Sequence, residues 1–171
     1  MEFKLTKTDR LIVNAAAKDV DIPSLHCVHV TKGKIQATNG YILAERKIDY
    51  DGDNTLLDIS DIAEHNDSKG LGGVVYTQDG ENIKATGRDI NIIKPAEGNF
   101  PNTEHLYPTE EPVFKIALGR SQLLALLKCL DKCEELIKFY FYDKEKPAKL
   151  TQGEDFTGLI MPMHAKWGDE K

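Results

Sequence analysis

Long apolar runs, a surplus of cysteine and a positive net charge are all missing from this chain of 171 residues. No run of about 18 apolar residues occurs, so the sequence predicts no membrane span. The N-terminal residues, MEFKLTKTDR, lack the apolar core of a secretory signal, and three cysteines are too few for a disulfide scaffold. We therefore expect a cytoplasmic protein with reduced thiols. Apolar residues at 40% and charged residues at 29% exclude a disordered or collagen-like chain.

The charge balance limits how the protein could bind nucleic acid. The chain has 22 Lys and Arg residues against 28 Asp and Glu residues, a net charge of −6. A protein that binds nucleic acid over its whole surface is usually basic. Any such binding here must therefore use basic residues gathered on one face.

Internal repeats indicate how the chain is organised. KIQATNGYIL at 34–43 aligns with NIKATGRDINI at 82–92, and each follows an alternating strand and a glycine turn. Phe3-Lys4-Leu5 and Phe114-Lys115-Ile116 each lead into an amphipathic helical pattern. These repeats predict three units of the form βαβββ, joined between the second and third by a proline-containing linker.

The predicted elements follow the same order in each unit. Unit one, 1–50, has strands at 2–6, 25–31, 34–38 and 42–48 and a helix at 8–18. Unit two, 54–98, has strands at 55–59, 73–78, 82–86 and 90–94 and a helix at 60–67. Unit three, 112–166, has strands at 113–117, 136–142, 147–151 and 157–161 and a helix at 119–133.

Two of the three predicted helices carry basic stripes. At 100° per residue, Lys7, Arg10 and Lys18 fall within one arc of the first helix, with Leu11 and Ile12 on the far side. The third helix has an apolar face of Leu123, Leu126, Leu127 and Leu130, opposite Ser121, Lys128 and Lys132. The stripes fit either a solvated helix face or a surface that contacts phosphates without reading bases.

Patterns typical of catalysis are weak. The glycine run at 70–73 precedes a strand rather than a helix, so it fits a hairpin loop better than a phosphate-binding loop. Cys129 and Cys133 have helical spacing without further ligands nearby, and we expect them to be buried small apolar residues. No serine or cysteine lies in a nucleophile motif. We therefore expect no enzyme activity, no cofactor and no metal; an enzyme would need a metal or nucleophile site beyond these patterns.

Several apolar segments lie in irregular chain, and they carry a family resemblance. The chain has ATNGYILA at 37–44, EGNFP at 97–101 followed by Pro108, KPAKL at 146–150 and IMPMH at 160–164. In this order, and on βαβββ units, these motifs resemble those of the bacterial sliding clamp, the beta subunit of DNA polymerase III.

The resemblance implies an α+β DNA-clamp fold with sheets outside and helices on one face, toward a central hole. Residues 1–108 correspond to a complete clamp domain with halves 1–50 and 54–98, 112–166 to half of a domain, and 167–171 to a tail. A ring of twelve halves would need about four copies. The single third unit would leave sheet edges exposed unless it pairs with its twin, so we expect a homo-oligomer.

The resemblance also implies two binding surfaces. A groove for peptide motifs of DNA polymerases and other clamp-binding proteins would be formed by Leu25, Thr38, Gly40, Tyr41, Ile42, Leu43, Pro101, His105, Leu106, Leu159, Met161 and Met163. Non-specific contacts to double-stranded DNA would come from Lys7, Arg10, Lys18, Arg120, Lys128 and Lys132. The protein would then be a processivity factor.

Departures from the family pattern keep a second interpretation open. Ile42 stands where the family usually has arginine, His105 replaces another basic position, and the second predicted helix is acidic. The chain also has three halves where a family chain has six. The alternative is a module that forms no ring and competes for, or regulates, the partners of a clamp.

Overall fold

The computed structural model describes residues 2–18, 22–63 and 72–167. The chain divides into unit 1, Met1–Leu106, and unit 2, Tyr107–Lys171. Both units combine antiparallel sheets with few, short helices. The α+β class predicted from the sequence is therefore confirmed.

Unit 1 contains eight strands and one short α-helix in its described residues. The strands are β1 (Glu2–Leu5), β2 (Cys27–Thr31), β3 (Lys34–Thr38), β4 (Leu43–Lys47), β5 (Thr55–Asp58), β6 (Val74–Asp79), β7 (Asn82–Thr86) and β8 (Ile90–Ile93). Helix α1 is Ile59–Ala63, and 3-10 helices cover Asp9–Ala15, Pro23–His26 and Glu104–Leu106. The predicted strands agree with these to within about two residues at each end. Residues 64–67 of the predicted acidic helix lie outside the described residues.

Two strands of unit 1 are exchanged between its sequence halves. β1 belongs to the first half but pairs with β6 of the second, with Phe3 opposite Tyr76. β5 belongs to the second half but pairs with β2 of the first, with Val28 opposite Leu57. The sheet orders are therefore β4-β3-β2-β5 and β1-β6-β7-β8. Because each sheet takes an edge strand from the other half, the two repeats share one core.

The core of unit 1 follows from the strand alternation. Phe3 and Leu5 of β1 are buried while Glu2 and Lys4 are exposed, as a period of two requires. The Phe3 ring stacks on Tyr76 with ring centroids 4.9 Å apart. Aromatic pairs of this kind contribute beyond the apolar area they bury. The exchanged strand β1 is thus held by the centre of the core.

The first predicted helix is wrong in type and length. Residues 8–18 are predicted to be one helix, but a 3-10 helix covers Asp9–Ala15 and Ala16 is extended. The Thr6 hydroxyl and N–H both donate to Asp9 Oδ2, at 2.6 and 2.9 Å, which fixes a tight first turn. A 3-10 helix turns about 120° per residue, so the arc calculated at 100° does not apply. Leu11, predicted on the apolar face, is 56% exposed.

Unit 2 has a three-stranded sheet and one longer helix. The strands are β9 (Lys138–Tyr140), β10 (Ala148–Gln152) and β11 (Phe156–Ile160), in the order β11-β10-β9, and the helix is α2 (Arg120–Leu127). Gly158 of β11 lies beneath α2, because a Cβ there would be 2.6 Å from Leu126 Cδ1. A larger residue at this position would have to displace the Leu126 side chain, so glycine favours close packing of the helix on the sheet.

The predicted strand 113–117 is not formed. This segment is joined to the C-terminal chain by a bridge between Leu118 and Pro162 and by a hydrogen bond of 2.8 Å from Met163 N–H to Ala117 O. Pro162 has no N–H to donate, so a regular ladder cannot continue through it.

The predicted helix 119–133 is too long, because α2 ends at Leu127. The chain beyond it is held by the buried Gln152 side chain of β10. Gln152 Oε1 accepts the Asp131 N–H at 2.8 Å, and Nε2 donates to the carbonyls of Asp131 and Glu134. A buried side chain thus satisfies backbone groups that a longer helix would have paired within itself.

The cysteines also differ from expectation. Cys129 and Cys133 are exposed rather than buried, because they lie beyond the end of α2. Cys27 is buried, and burial, with Asp58 and Asp61 acting in the same direction, raises the pKa of its thiol to about 11. Such a thiol stays protonated and is a poor nucleophile.

Replacing Gln152 should destabilise unit 2 selectively. In Gln152→Ala, three partly buried hydrogen bonds to the backbone of Asp131 and Glu134 are lost, and we expect a loss of about 1–3 kcal/mol in the free energy of unfolding. Trp167, the single tryptophan of the chain and part of unit 2, reports this by fluorescence during urea unfolding. The control is Gln122→Ala, at an exposed position of α2. Equal stability of the two variants would contradict this role for Gln152.

Candidate functional site

The β3–β4 turn presents two apolar side chains to solvent on a well-ordered backbone. Asn39 Oδ1 accepts the N–H groups of Tyr41 and Ile42, both at 3.0 Å. The Thr38 hydroxyl donates to Ile42 O at 2.6 Å and accepts the Gly40 N–H at 3.1 Å. Gly40 has a φ of +89°, which favours glycine. Tyr41 is 96% exposed at the tip of this turn.

Residues predicted for the groove share the outer face of the sheet β4-β3-β2-β5. Thr38 is opposite Leu43 and Gln36 is opposite Glu45 in the β3–β4 register, so their side chains lie on one face. Ala37, between them, is buried on the core side. Half-buried Leu25 lies in the 3-10 helix Pro23–His26 that leads into β2, and its carbonyl accepts the Ala17 N–H at 2.9 Å, so no register places it on this face.

The segment 99–106, here called the strap, crosses this same face. The Phe100 ring stacks on His29 of β2, with centroids 4.8 Å apart. Further along, Gln36 Nε2 of β3 donates to the buried Thr103 hydroxyl at 2.9 Å. A 3-10 turn then begins, closed by a hydrogen bond from Leu106 N–H to Thr103 O at 3.1 Å. The strap therefore runs from β2 to β3.

The strap brings the remaining predicted residues of unit 1 to the outer face. Pro101 lies between the two anchors, and His105 and Leu106 follow the second one; all three are exposed. Leu106 is 57% exposed although it is apolar. Unit 1 thus gathers Thr38, Leu43 and the strap on one sheet face, with the exposed Tyr41 turn at its end.

The anchoring residues His29, Phe100 and Gln36 were not among the predicted site residues. A signal for two of them was present, because the alternation of β2 and β3 places His29 and Gln36 opposite the core. Phe100 lies in the EGNFP motif without a role assigned to it. No local sequence pattern predicts that the linker covers this face. The covering depends on the hydrogen bond between Gln36 and Thr103, which are 67 residues apart in the chain.

Burial is the main influence on His29. It lowers the pKa of the imidazole below the usual value of about 6.5, and Lys34 acts in the same direction, while the hydrogen bond with Gln36 opposes both. His29 Nδ1 is buried without a hydrogen-bond partner among the described residues. A protonated ring would carry a second, unsatisfied N–H at that atom. The Phe100 stack is therefore made by the neutral imidazole.

In unit 2 the predicted apolar residues form a stripe of alternating positions. Leu159 is 64%, Met161 61% and Met163 56% exposed. Ile160, between Leu159 and Met161, is buried, and so is Gly158, which lies against Leu126 of α2. The stripe leaves the end of β11 and continues into the segment bonded to Ala117.

The predicted DNA-facing residues do not form regular helix stripes. Lys7 precedes the first 3-10 helix and Lys18 follows it, both exposed. Arg10 is half-buried, and its guanidinium donates to Ile62 O of α1 at 3.4 Å. In unit 2, Arg120 begins α2, while Lys128 and Lys132 follow its last residue; all three are exposed.

The described residues contain neither a metal site nor a membrane-spanning helix. Among the described residues, no three His, Cys, Asp or Glu side chains are grouped closely enough to bind a metal ion. Within residues 2–18, 22–63 and 72–167, no helix is long and apolar enough to cross a membrane.

Solved structures similar to this chain are bacterial sliding clamps. The DNA polymerase III beta chain of Streptococcus pneumoniae matches 96% of this chain with a TM-score of 0.71 and 18% identity. The sliding clamp of Bacillus subtilis matches 95% with a TM-score of 0.68 and 14% identity. A beta subunit of Eubacterium rectale, described as putative, matches 95% with a TM-score of 0.64 and 11% identity.

These matches show that the chain has the sliding-clamp fold, which confirms the fold expected from the motifs. The chain spans 49–50% of the length of these three clamps. No protein-family model matches the chain. No curated protein matches it either.

The His29 geometry predicts that acid weakens unit 1. Because the pKa of His29 is lower in the folded chain, the unfolded chain binds a proton there first as the pH falls below about 6.5. The free energy of unfolding therefore decreases from about pH 6.5 down to the pKa of the folded state. We expect faster hydrogen exchange in the strap near pH 5.5 than near pH 7.5, beyond the intrinsic effect of pH. His29→Gln should reduce this pH dependence, whereas His105→Gln, at an exposed position, should keep it. An unchanged pH dependence in His29→Gln would contradict the assignment.

Proposed function

We propose that this protein is a non-catalytic, sliding-clamp-like processivity factor that binds short apolar peptide motifs of DNA polymerases and other replication or repair proteins. One observation carries the proposal: both units of a clamp fold hold large apolar side chains in solvent at the motif positions. Tyr41, Ile42 and Leu106 do so in unit 1, and Leu159, Met161 and Met163 in unit 2. Exposed apolar clusters of this kind mark protein interaction sites.

The two clusters suit peptide binding in different ways. In unit 1, the Asn39 and Thr38 hydrogen bonds fix the backbone beneath Tyr41 before any ligand arrives, which lowers the entropy lost on binding. In unit 2, Met161 and Met163 have flexible, polarizable side chains that adapt to varied apolar partners. A protein with one fixed and one adaptable binding element is suited to several related ligands.

We further propose that unit 2 pairs with a second copy of the chain. β9 ends its sheet, and its outer edge has no partner strand among the described residues. Four consecutive aromatic residues, Phe139 to Tyr142, are each between 39% and 60% exposed. An open sheet edge with exposed aromatic side chains favours association with another chain. A closed assembly would then contact double-stranded DNA non-specifically through Lys7, Lys18, Arg120, Lys128 and Lys132, with a smaller part for the half-buried Arg10.

The alternative is a clamp-like module that forms no ring and competes for clamp partners. It is favoured by the net charge of −6 and by the half-buried Arg10, whose guanidinium donates to Ile62 O at 3.4 Å. The two proposals share the peptide-binding surfaces and differ in DNA retention.

Single truncations should weaken peptide binding without unfolding the protein. The probe is a fluorescein-labelled, capped peptide with a Leu-Phe pair, measured by anisotropy. We expect about tenfold weaker binding for Met161→Ala and for Leu43→Ala, in line with the removal of a largely buried apolar side chain from the complex. The matched control is Ile92→Ala on β8, where the isoleucine is 58% exposed and outside the proposed surfaces. The fold of each variant is checked by circular dichroism. Equal affinities for the unchanged protein and all three variants would contradict the proposal.

DNA retention separates a ring from a module. A ring should stay on closed circular DNA in high salt and leave it after linearisation, because its hold is topological. At low salt, the double variant Lys128→Gln/Lys132→Gln should bind duplex DNA with a smaller salt slope, by about one for each phosphate that the protein no longer neutralises. Absence of retention on circular DNA, with peptide binding intact, would favour the alternative.

A further inference from the structure

Unit 1 contains a pocket beside His29 that the proposed function does not use. Its volume is about 270 Å³, and it lies between the start of β5 and the segment 95–100 that leads into the strap. The lining residues are His29, Asn54, Thr55, Leu56, Pro95, Ala96, Gly98, Asn99 and Phe100. The pocket is smaller than the roughly 300–1,000 Å³ of sites for drug-sized ligands, so it suits one small group or a single side chain.

The hydrogen bonds of Gln36 determine which nitrogen of His29 carries the proton. Gln36 Nε2 donates to Glu45 Oε2 and to the Thr103 hydroxyl, both at 2.9 Å. The amide oxygen of Gln36 therefore remains as the acceptor for its hydrogen bond with His29. Because His29 Nδ1 has no partner among the described residues, this bond uses the Nε2–H group. Nδ1 is then the unprotonated nitrogen, a buried acceptor that lacks a donor.

The strand register puts the pocket on the side of His29 that Gln36 leaves free. In the sheet, Gln36 of β3 is opposite His29 on one side of β2, and Leu56 of β5 is opposite it on the other side. Leu56 lines the pocket, and Gln36 does not. A hydrogen-bond donor in the pocket therefore approaches the imidazole from the side away from its existing partner.

The pocket offers hydrogen-bonding groups without formal charge. Among the described residues that line it, none is Asp, Glu, Lys or Arg. Asn54 Oδ1 accepts the Thr31 hydroxyl at 2.6 Å, which leaves the Asn54 amide nitrogen to donate. A charged group would lose its hydration here without gaining an opposite charge. The pocket thus suits a neutral group with a donor beside an acceptor, and the stacked rings of His29 and Phe100 favour a planar one.

We propose that this pocket binds a primary carboxamide, whose N–H donates to His29 Nδ1 and whose oxygen accepts from Asn54 Nδ2. An asparagine or glutamine side chain of a partner protein and a free small amide both carry this group. The inference does not depend on the proposed peptide binding. Because His29 and Phe100 form the first anchor of the strap, an occupied pocket stabilises the strap.

Nitrogen NMR of the imidazole rings in the full chain measures the proposed contact at the acceptor itself. The Nδ1 resonance of a neutral imidazole moves upfield when that nitrogen accepts a hydrogen bond. The probes are acetamide and its analogues acetate and N,N-dimethylacetamide, which have no N–H to donate. The His29 signal is the one missing from the spectrum of His29→Gln, and exposed His105 is the internal control.

We expect acetamide to move the His29 Nδ1 resonance upfield and to bind about two- to tenfold more tightly than N,N-dimethylacetamide, as one hydrogen bond would cause. Acetate should leave the resonance unmoved. Asn54→Asp keeps the oxygen that accepts from Thr31 but loses the amide donor, so it should weaken acetamide binding by a similar factor. The matched control is Asn102→Asp, at an exposed asparagine outside the pocket whose Oδ1 accepts the Glu104 N–H at 3.0 Å, and it should bind acetamide normally.

Hydrogen exchange in the strap gives a second, independent readout. At an acetamide concentration about ten times its Kd, openings that break the His29–Phe100 stack should become about tenfold rarer. Exchange in the strap should slow accordingly, whereas exchange in unit 2 should stay the same. A capped Ala-Asn-Ala peptide, with Ala-Asp-Ala as its control, identifies the source of the amide. Binding as tight as that of acetamide assigns the pocket to a side chain of a partner, and binding of acetamide alone assigns it to a free amide.

Three results would overturn the inference. Equal binding of acetamide and N,N-dimethylacetamide would show that His29 Nδ1 accepts no N–H from the ligand. A stronger response to acetate than to acetamide would replace the amide by an anion. No response of the His29 resonance to any probe would leave the pocket to water alone. Each of these results leaves the proposed peptide binding standing, because the anisotropy assay tests that separately.

Discussion

The exchange of β1 and β5 between the two sheets is the constraint on which unit 1 depends. Each strand crosses to the sheet of the other half, so neither half has a complete sheet of its own. Phe3 on β1 stacks on Tyr76 at the centre of the core, which ties the exchange to the most deeply buried aromatic contact. Because the inner faces of both sheets pack into one core, the outer face of the sheet β4-β3-β2-β5 is available for other contacts.

The strap packs on that outer face, and its two anchoring contacts determine where the candidate site lies. The His29–Phe100 stack and the Gln36–Thr103 hydrogen bond hold the segment 99–106 across β2 and β3. Thr38 and Leu43 lie on the same face, and the Tyr41 turn ends it. The exposed apolar side chains of unit 1 are thus presented by a rigid sheet. Those of unit 2 leave the end of β11 on a segment that Pro162 keeps out of a regular ladder.

Much of this arrangement was predictable from local sequence. Strands with strict alternation, such as β3 and β7, and the Asn39-Gly40 turn have strong local signals, and the structure agrees. The prediction of an α-helix at 8–18 is wrong because the hydrogen bond between Thr6 and Asp9 closes a tighter turn than the helical periodicity of the sequence indicates. The prediction of a helix at 119–133 is wrong in its length because Gln152, distant in sequence, accepts the backbone N–H of Asp131. Strand exchange and strap anchoring are long-range contacts, so no local pattern could have specified them.

The solution mass of the chain tests the central claim most directly, since the proposed ring needs more than one copy of it. Light scattering over a range of concentrations should give an assembly of more than one copy of the 19.2 kDa chain, in which unit 2 of one copy pairs with unit 2 of another through β9. An assembly that dissociates when Phe139 and Phe141 are replaced by lysine would support the ring. A persistent 19.2 kDa monomer at every concentration would contradict it and would leave the peptide-binding module as the account of this protein.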